Sequence, residues 1–155
     1  MNIMAIDPGP EVSGVVVISP DRKILSANIQ ANQEVVATLK SYDTVYPYPH
    51  VAIEMIASYG MPVGAEVFET CTWIGRFEEA YFFKHFTARY FRQDIKLHLC
   101  GTTRAKDGNV RQALIDLLGP PGVKKNPGPT YGIKSHLWAA LALAIYARHV
   151  LNQPK

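Results

Sequence analysis

The sequence predicts an α/β fold built on one five-stranded mixed sheet with helices on both faces. Three observations carry this expectation. Three short apolar or β-branched runs follow one another at the N-terminus with only turns between them, as in an antiparallel meander. Two later extended runs are set apart by helical patterns, which is how parallel strands are connected. The 155 residues are 48% hydrophobic and 19% charged, which suits one compact domain over residues 1–155 and argues against a disordered chain.

The first strand is the apolar run Asn2 to Ile6, which stops at Asp7-Pro8-Gly9-Pro10. Gly14 to Ile18 is β-branched and uninterrupted, and Ser19-Pro20-Asp21 turns it into a third extended run, Lys23 to Ile29. Asn32 is placed to cap a helix, with Glu34 in its first turn and Val35, Val36 and Leu39 on one face up to about Lys40. Tyr42 to His50 carries Pro47 and Pro49 and reads as a loop. Val51 to Met55 is the fourth strand, apolar except for Glu54. After a Gly- and Pro-containing loop, Ala57 to Val63, a long helix starts near Ala65. Val67, Phe68, Cys71, Ile74, Phe77, Ala80 and Tyr81 mark its pattern to about Lys84. Ile95 to Leu99 reads as the fifth strand. Asp107-Gly108-Asn109 opens a helix with Val110, Ala113, Leu114, Leu117 and Leu118 on one face, ended by Gly119-Pro120-Pro121-Gly122. Val123 to Pro129 is expected to be an exposed or mobile basic loop, and a buried helix runs from about Ile133 to Leu151.

The formal charge of +3 and pI near 8.9 permit a polyanionic partner without requiring one. Cys71 and Cys100 have no paired-ligand spacing, so neither a structural zinc site nor a disulfide framework is expected. Met1 to Ile6 is too short for the apolar core of a secretory signal. No apolar run reaches the ~20 residues of a membrane span. The expectation is a soluble, cytoplasmic protein.

Three residues invite a chemical reading. Asp7 ends a buried strand, where an unpartnered carboxylate is costly; by itself it also fits a turn-initiating Asp. Glu54 interrupts an apolar strand before any turn residue; a strand-end carboxylate facing solvent, or one paired with a base, is the plainer alternative. His136 stands near the start of the last helix, after Lys134 and Ser135, where a histidine is either structural or a metal ligand. First and fourth strands side by side would set two carboxylates together. Like charges that close need a cation between them, and oxygen ligands suit Mg²⁺ or Mn²⁺. Two such ions clamp the attacking and leaving oxygens of an in-line phosphoryl displacement, so no Ser, Cys or triad is needed.

Four segments, in this order, carry a resemblance. They are Met4-Ala-Ile-Asp-Pro-Gly-Pro10 with Ser13-Gly14, Val51-Ala-Ile-Glu54, Gly101-Thr-Thr-Arg-Ala-Lys106 with Val110, and Ser135-His-Leu-Trp-Ala-Ala-Leu-Ala-Leu-Ala144. Together they resemble the opening hairpin, second acidic strand, basic loop and final helix of the RuvC-like Holliday junction resolvases, of a phage or prophage type. The resemblance implies an RNase H-like fold and a homodimer that cuts branched DNA by two-metal hydrolysis with Mg²⁺ or Mn²⁺. It implies that Asp7 bridges the ions, that Glu54 binds one of them, and that His136 is the third ligand. Lys106 would contact the scissile phosphate. One position departs: the final acid of the family pattern falls at Ala139, which cannot bind metal. Asp107 and Glu66 are the nearby acids available in its place.

Arg104, Lys106, Arg111, Lys124, Lys125 and Lys134 are the candidate phosphate contacts. Tyr59 and Met61 follow Glu54, where a wedge could unstack a junction. Phe68, Trp73 and Phe77 are read as core or dimer interface, with the Ala65–Lys84 helix as the dimer surface. An actin-like or sugar-kinase-like ATPase shares the opening strand and hairpin, but the chain is too short for its second lobe. A binding module of the same fold, holding branched DNA without cutting it, and a nuclease acting on RNA–DNA hybrids remain the other readings.

Overall fold

The computed structural model describes residues 1–44 and 46–154. Val45, inside the loop read over Tyr42–His50, and Lys155, at the end of the single domain, lie outside the described residues. The sheet has five strands: β1 (Ile3–Asp7), β2 (Val12–Ile18), β3 (Ile24–Ala31), β4 (His50–Met55) and β5 (Thr87–Phe91). Their order is β3-β2-β1-β4-β5. β1 pairs antiparallel with β2 and β2 with β3, whereas β4 runs parallel to β1 and β5 parallel to β4. The mixed α/β sheet expected from the sequence is therefore present.

Side chains alternate along each strand, so the central strand β1 serves two cores. Met4 and Ile6 pack with Val51, Ile53, Val35, Leu39, Trp73, Ile74, Phe77 and Tyr81 under helices α1 (Asn32–Ser41) and α2 (Ala65–Ala80). Ile3 and Ala5 pack with Val16, Ile18 and Ala52 against α3 (Arg92–Cys100), α4 (Asp107–Leu118) and α5 (Leu137–Leu151). α5 is the helix laid across the sheet centre. Its Ala140, Ala144 and Ala147 are fully buried, and their short side chains let the helix axis approach β1 and β2 closely.

Five expectations need correction. Ile95–Leu99 is not a strand but lies inside α3. Its alternating Ile95, Leu97 and Leu99 resemble a strand, yet Ile95 and Leu99 are also four apart and share one helical face. Ile95 is buried there and Leu97 is exposed. Gly101, at φ +73°, ends that helix. The fifth strand comes earlier, at Thr87–Phe91, a β-branched and aromatic edge strand. Asn32 does not cap α1. Its side chain turns back to accept a hydrogen bond from Ser13 Oγ (2.7 Å) and donate one to Gly9 O (2.9 Å), which ties the β1–β2 turn to the helix. The long helix stops at Ala80 rather than Lys84, because Tyr81 leaves it in extended backbone and donates from its buried hydroxyl to Pro49 O (2.6 Å). Val123–Pro129 is not an irregular loop throughout: Gly122–Val123 (β6) and Asn126–Pro127 (β7) form a small antiparallel hairpin with Lys124 and Lys125 at its exposed turn. The last helix begins at Leu137, not Ile133. Both cysteines are free and half-buried. Among the described residues no helix is long and apolar enough to cross a membrane.

Candidate active site

The alternation that builds the cores also builds the site. Asp7 follows Ile3 and Ala5 on the α5 face of β1. Glu54 follows Ala52 on the same face of β4. Ile6 pairs with Ile53, so the next residues along, Asp7 and Glu54, sit side by side at the C-terminal edge of two parallel strands. Tyr90 pairs with Glu54 on β5, and Arg92, two residues on, continues that face as the first residue of α3. Open α/β sheets place their ligands outside this edge.

Both carboxylates are buried, each residue 8% exposed. Arg92 is bound to both Glu54 oxygens, Nε to Oε1 at 2.7 Å and Nη2 to Oε2 at 3.4 Å. The same Nη2 lies 3.9 Å from Asp7 Oδ1, and Nη1 lies 3.5 Å from Asp107 Oδ1 at the start of α4. His136 enters from the other side, with Nδ1 3.3 Å from Asp7 Oδ2. Asp7 thus faces the guanidinium with one oxygen and the imidazole with the other. Burial, and then the neighbouring Glu54 charge, raise the Asp7 pKa from 3.8 to about 6, against the opposing pull of Arg92 and His136. Burial works against the Arg92 charge, but Glu54, Asp7 and Asp107 outweigh it and raise its pKa.

His136 is brought to Asp7 by a missing side chain. Gly14 on β2 pairs with Asp7 across the hairpin. A Cβ at Gly14 would stand 3.0 Å from His136 O and 3.3 Å from its Cβ, so glycine lets the start of α5 rest on the strand. Ser135, at φ +49°, makes the sharp turn into His136. Gly9 serves the adjoining turn, where a Cβ would meet Val12 O at 2.4 Å.

A cleft of about 660 Å³ opens from this edge, lined by Glu54, Arg92, Asp107, His136 and Ala139 among others. Of the basic residues expected at nucleic acid, Arg111 and Lys134 line it. Arg111 also lies over the Trp138 ring, 5.0 Å from its centroid. Lys106 is exposed just before α4, where its N–H donates to Asn109 Oδ1 (3.0 Å), and Arg104 is exposed on the same turn; neither lines the cleft. Lys124 and Lys125 project on the β6–β7 turn. Lys96, on α3, lines the cleft and was missed together with Arg92, because both fall in or beside the segment misread as a strand. Tyr59 and Met61 are well exposed on a turn closed by Met61 N–H donating to Ser58 O. Asp107 reaches the site; Glu66, in the first turn of α2, is not among the cleft residues.

As the cleft is arranged, no three His, Cys, Asp or Glu side chains among the described residues stand together as a metal cage. The guanidinium lies between the carboxylates instead. The donors nonetheless suit one oxygen-preferring dication: a buried carboxylate with a raised pKa, a second beside it, and an imidazole in contact. Position 139, facing the cleft, offers no ligand for a second.

The strand order, the helices on both faces and the acids at the parallel edge define an RNase H-like fold. Thermus thermophilus RuvC has this fold: its structure superimposes at a TM-score of 0.71 and 22% identity, covering 97% of this chain and 96% of that one. A structure of T. thermophilus RuvC in complex with a Holliday junction substrate matches equally, at 0.71 and 22%, over 97% and 94% of the two chains. At the level of sequence, no family profile and no curated protein matches the chain.

Proposed function

We propose that the chain is a divalent-metal-dependent endonuclease that cuts branched DNA at four-way junctions. The observation that carries this is the placement of Asp7 and Glu54. Two buried carboxylates lie side by side at the edge of a RuvC-type sheet, and Glu54 and the Asp7 partner His136 line a cleft bordered by Lys96, Arg111 and Lys134. The reaction is hydrolysis: water adds to phosphorus, the bond to one sugar oxygen breaks, and a water proton ends on that oxygen. A bound Mg²⁺ or Mn²⁺ supplies the charge that makes water acidic and the phosphate electrophilic. Asp7 and His136 would hold that ion, with the Glu54 charge beside it. Arg111 and Lys134 bind the phosphate backbone inside the cleft, with Arg104, Lys106, Lys124 and Lys125 on its surroundings. Tyr59 and Met61, exposed on the turn after β4, wedge into the junction. A four-way junction is two-fold symmetric, so two copies deliver matched cuts. Trp73 and Phe77 of α2 are spent in the core, but its Phe68 is 65% exposed, which supports this helix as the surface between copies.

One observation favours a second reading, a module that binds junctions without cutting: Ala139 stands where the resemblance calls for an acid. Labelled four-way junction, duplex and RNA–DNA hybrid, each incubated with Mg²⁺, Mn²⁺ or EDTA, separate the readings. Cuts on the junction alone, absent in EDTA, are expected. Tight junction binding with no cuts under any ion would replace the enzyme with the module, and cuts confined to the hybrid would change the substrate.

A further inference from the structure

Asp7 and Glu54 need a positive charge between them, and the chain already carries one. Arg92 covers both oxygens of Glu54 and faces one oxygen of Asp7. The other Asp7 oxygen faces His136 and is outside its reach. The other acid lining the cleft among the described residues, Asp107, also turns to Arg92. On α5, Ala139 lines the cleft and supplies no ligand. The Glu54 side thus carries its own cation, and α5 offers no carboxylate at position 139, so the local charge does not call for two dications.

We propose that Arg92 is a resident cation that takes the place of one of two metal ions, leaving the site to bind a single divalent ion on the Asp7–His136 side. The assignment of its chemical role rests on the nuclease reading above. Arg92 lines the cleft with its side chain 40% exposed, and its contacts to Glu54 and Asp107 do not use all of its N–H groups. A guanidinium is planar, always charged and suited to two phosphate oxygens at once. Held by Glu54, it meets an entering phosphodiester without reorganising, and it takes up the negative charge that grows on the phosphoryl oxygens during cleavage.

The test counts ions and does not depend on turnover. Metal-free protein is titrated with Mn²⁺, and free Mn²⁺ is read by electron paramagnetic resonance. Wild type is expected to hold one ion per chain. Ala139→Asp is also expected to hold one, because the guanidinium still blocks the second place. The double variant Ala139→Asp/Arg92→Gln is expected to hold two. Two ions in wild type, none, two in Ala139→Asp alone, or one in the double variant would each overturn the proposal. If the variants do not fold, the wild-type count decides alone. As a second readout, Arg92→Gln should slow single-turnover junction cleavage by at least about 100-fold, and added guanidinium ion should restore part of the rate to Arg92→Gly. Arg92→Gln cutting as fast as wild type, or faster, would make Arg92 a plug and overturn the role. Should wild type cut no branched DNA, the nuclease reading fails while the ion count still decides what Arg92 replaces.

Discussion

Asp7→Asn is expected to abolish junction cleavage, by at least about 10³-fold, and at the same time to stabilise the metal-free protein above pH 6. Both effects have one origin. Asp7 is buried beside Glu54, and its pKa is raised to about 6, so in the folded chain it ionises against burial and a like charge. The sign follows from linkage. Between 3.8 and about 6 the folded state holds the Asp7 proton while the unfolded state has released it, so this group's contribution to stability falls as pH rises through that window. A shift of this size corresponds to about 3 kcal/mol at most, or roughly 6–12 °C in Tm for a chain of this length. The wild-type profile alone will hide it. Burial, and then Arg148, lower the His50 pKa from 6.5 to about 4, so acidification across nearly the same range removes stability through His50. The difference in Tm between Asp7→Asn and wild type, measured in EDTA, isolates Asp7. It should be near its minimum below pH 4 and grow to a plateau in favour of the variant above pH 6. A difference that does not change with pH would remove the raised Asp7 pKa from the account. Junction affinity should be retained, since the basic residues that bind the backbone are untouched.

Gly14→Val is expected to leave junction binding within about threefold and to lower kcat by about 100-fold. The substitution suits an extended strand, so β2 itself tolerates it. Its side chain, however, points at the first residues of α5, where even a Cβ would be 3.0–3.3 Å from His136 atoms. The helix start must move outward and carry the imidazole away from Asp7. A displacement of about 1 Å in a positioned group is commonly worth two orders of magnitude in rate. The overpacking should also cost roughly 1–3 kcal/mol of stability. Single-turnover rates and junction affinities measured on the same preparation check this; a loss confined to affinity would show that His136 is not held by this contact.

How much of this was legible beforehand depends on the signal each residue gave. Asp7 and Glu54 stood out because an acid inside an apolar strand has no packing reason to be there. His136 stood out by its place before an almost wholly apolar helix. Their meeting followed from strand parity and from β1 lying next to β4. Arg92 gave no such signal. Ile95, Leu97 and Leu99 alternate like a strand and repeat like a helix, and choosing the strand hid the residue that opens α3. The clue that remained was the run Thr87–Phe91, whose residues favour an edge strand; an arginine one step past the end of a strand parallel to β4 falls beside Glu54. The role of Gly14 was equally hidden, because it depends on how closely α5 lies on the sheet, which local sequence does not encode.

The central claim is that Asp7 and His136 hold one divalent cation, beside the Glu54 charge, at the edge of β1 and β4. Mn²⁺ relaxation of backbone amide signals in isotope-labelled, DNA-free protein tests it most directly. Saturable broadening is expected for the amides around residues 7, 54 and 136, to be lost in Asp7→Asn and Glu54→Gln. Broadening centred elsewhere, or unchanged in both variants, would contradict the account.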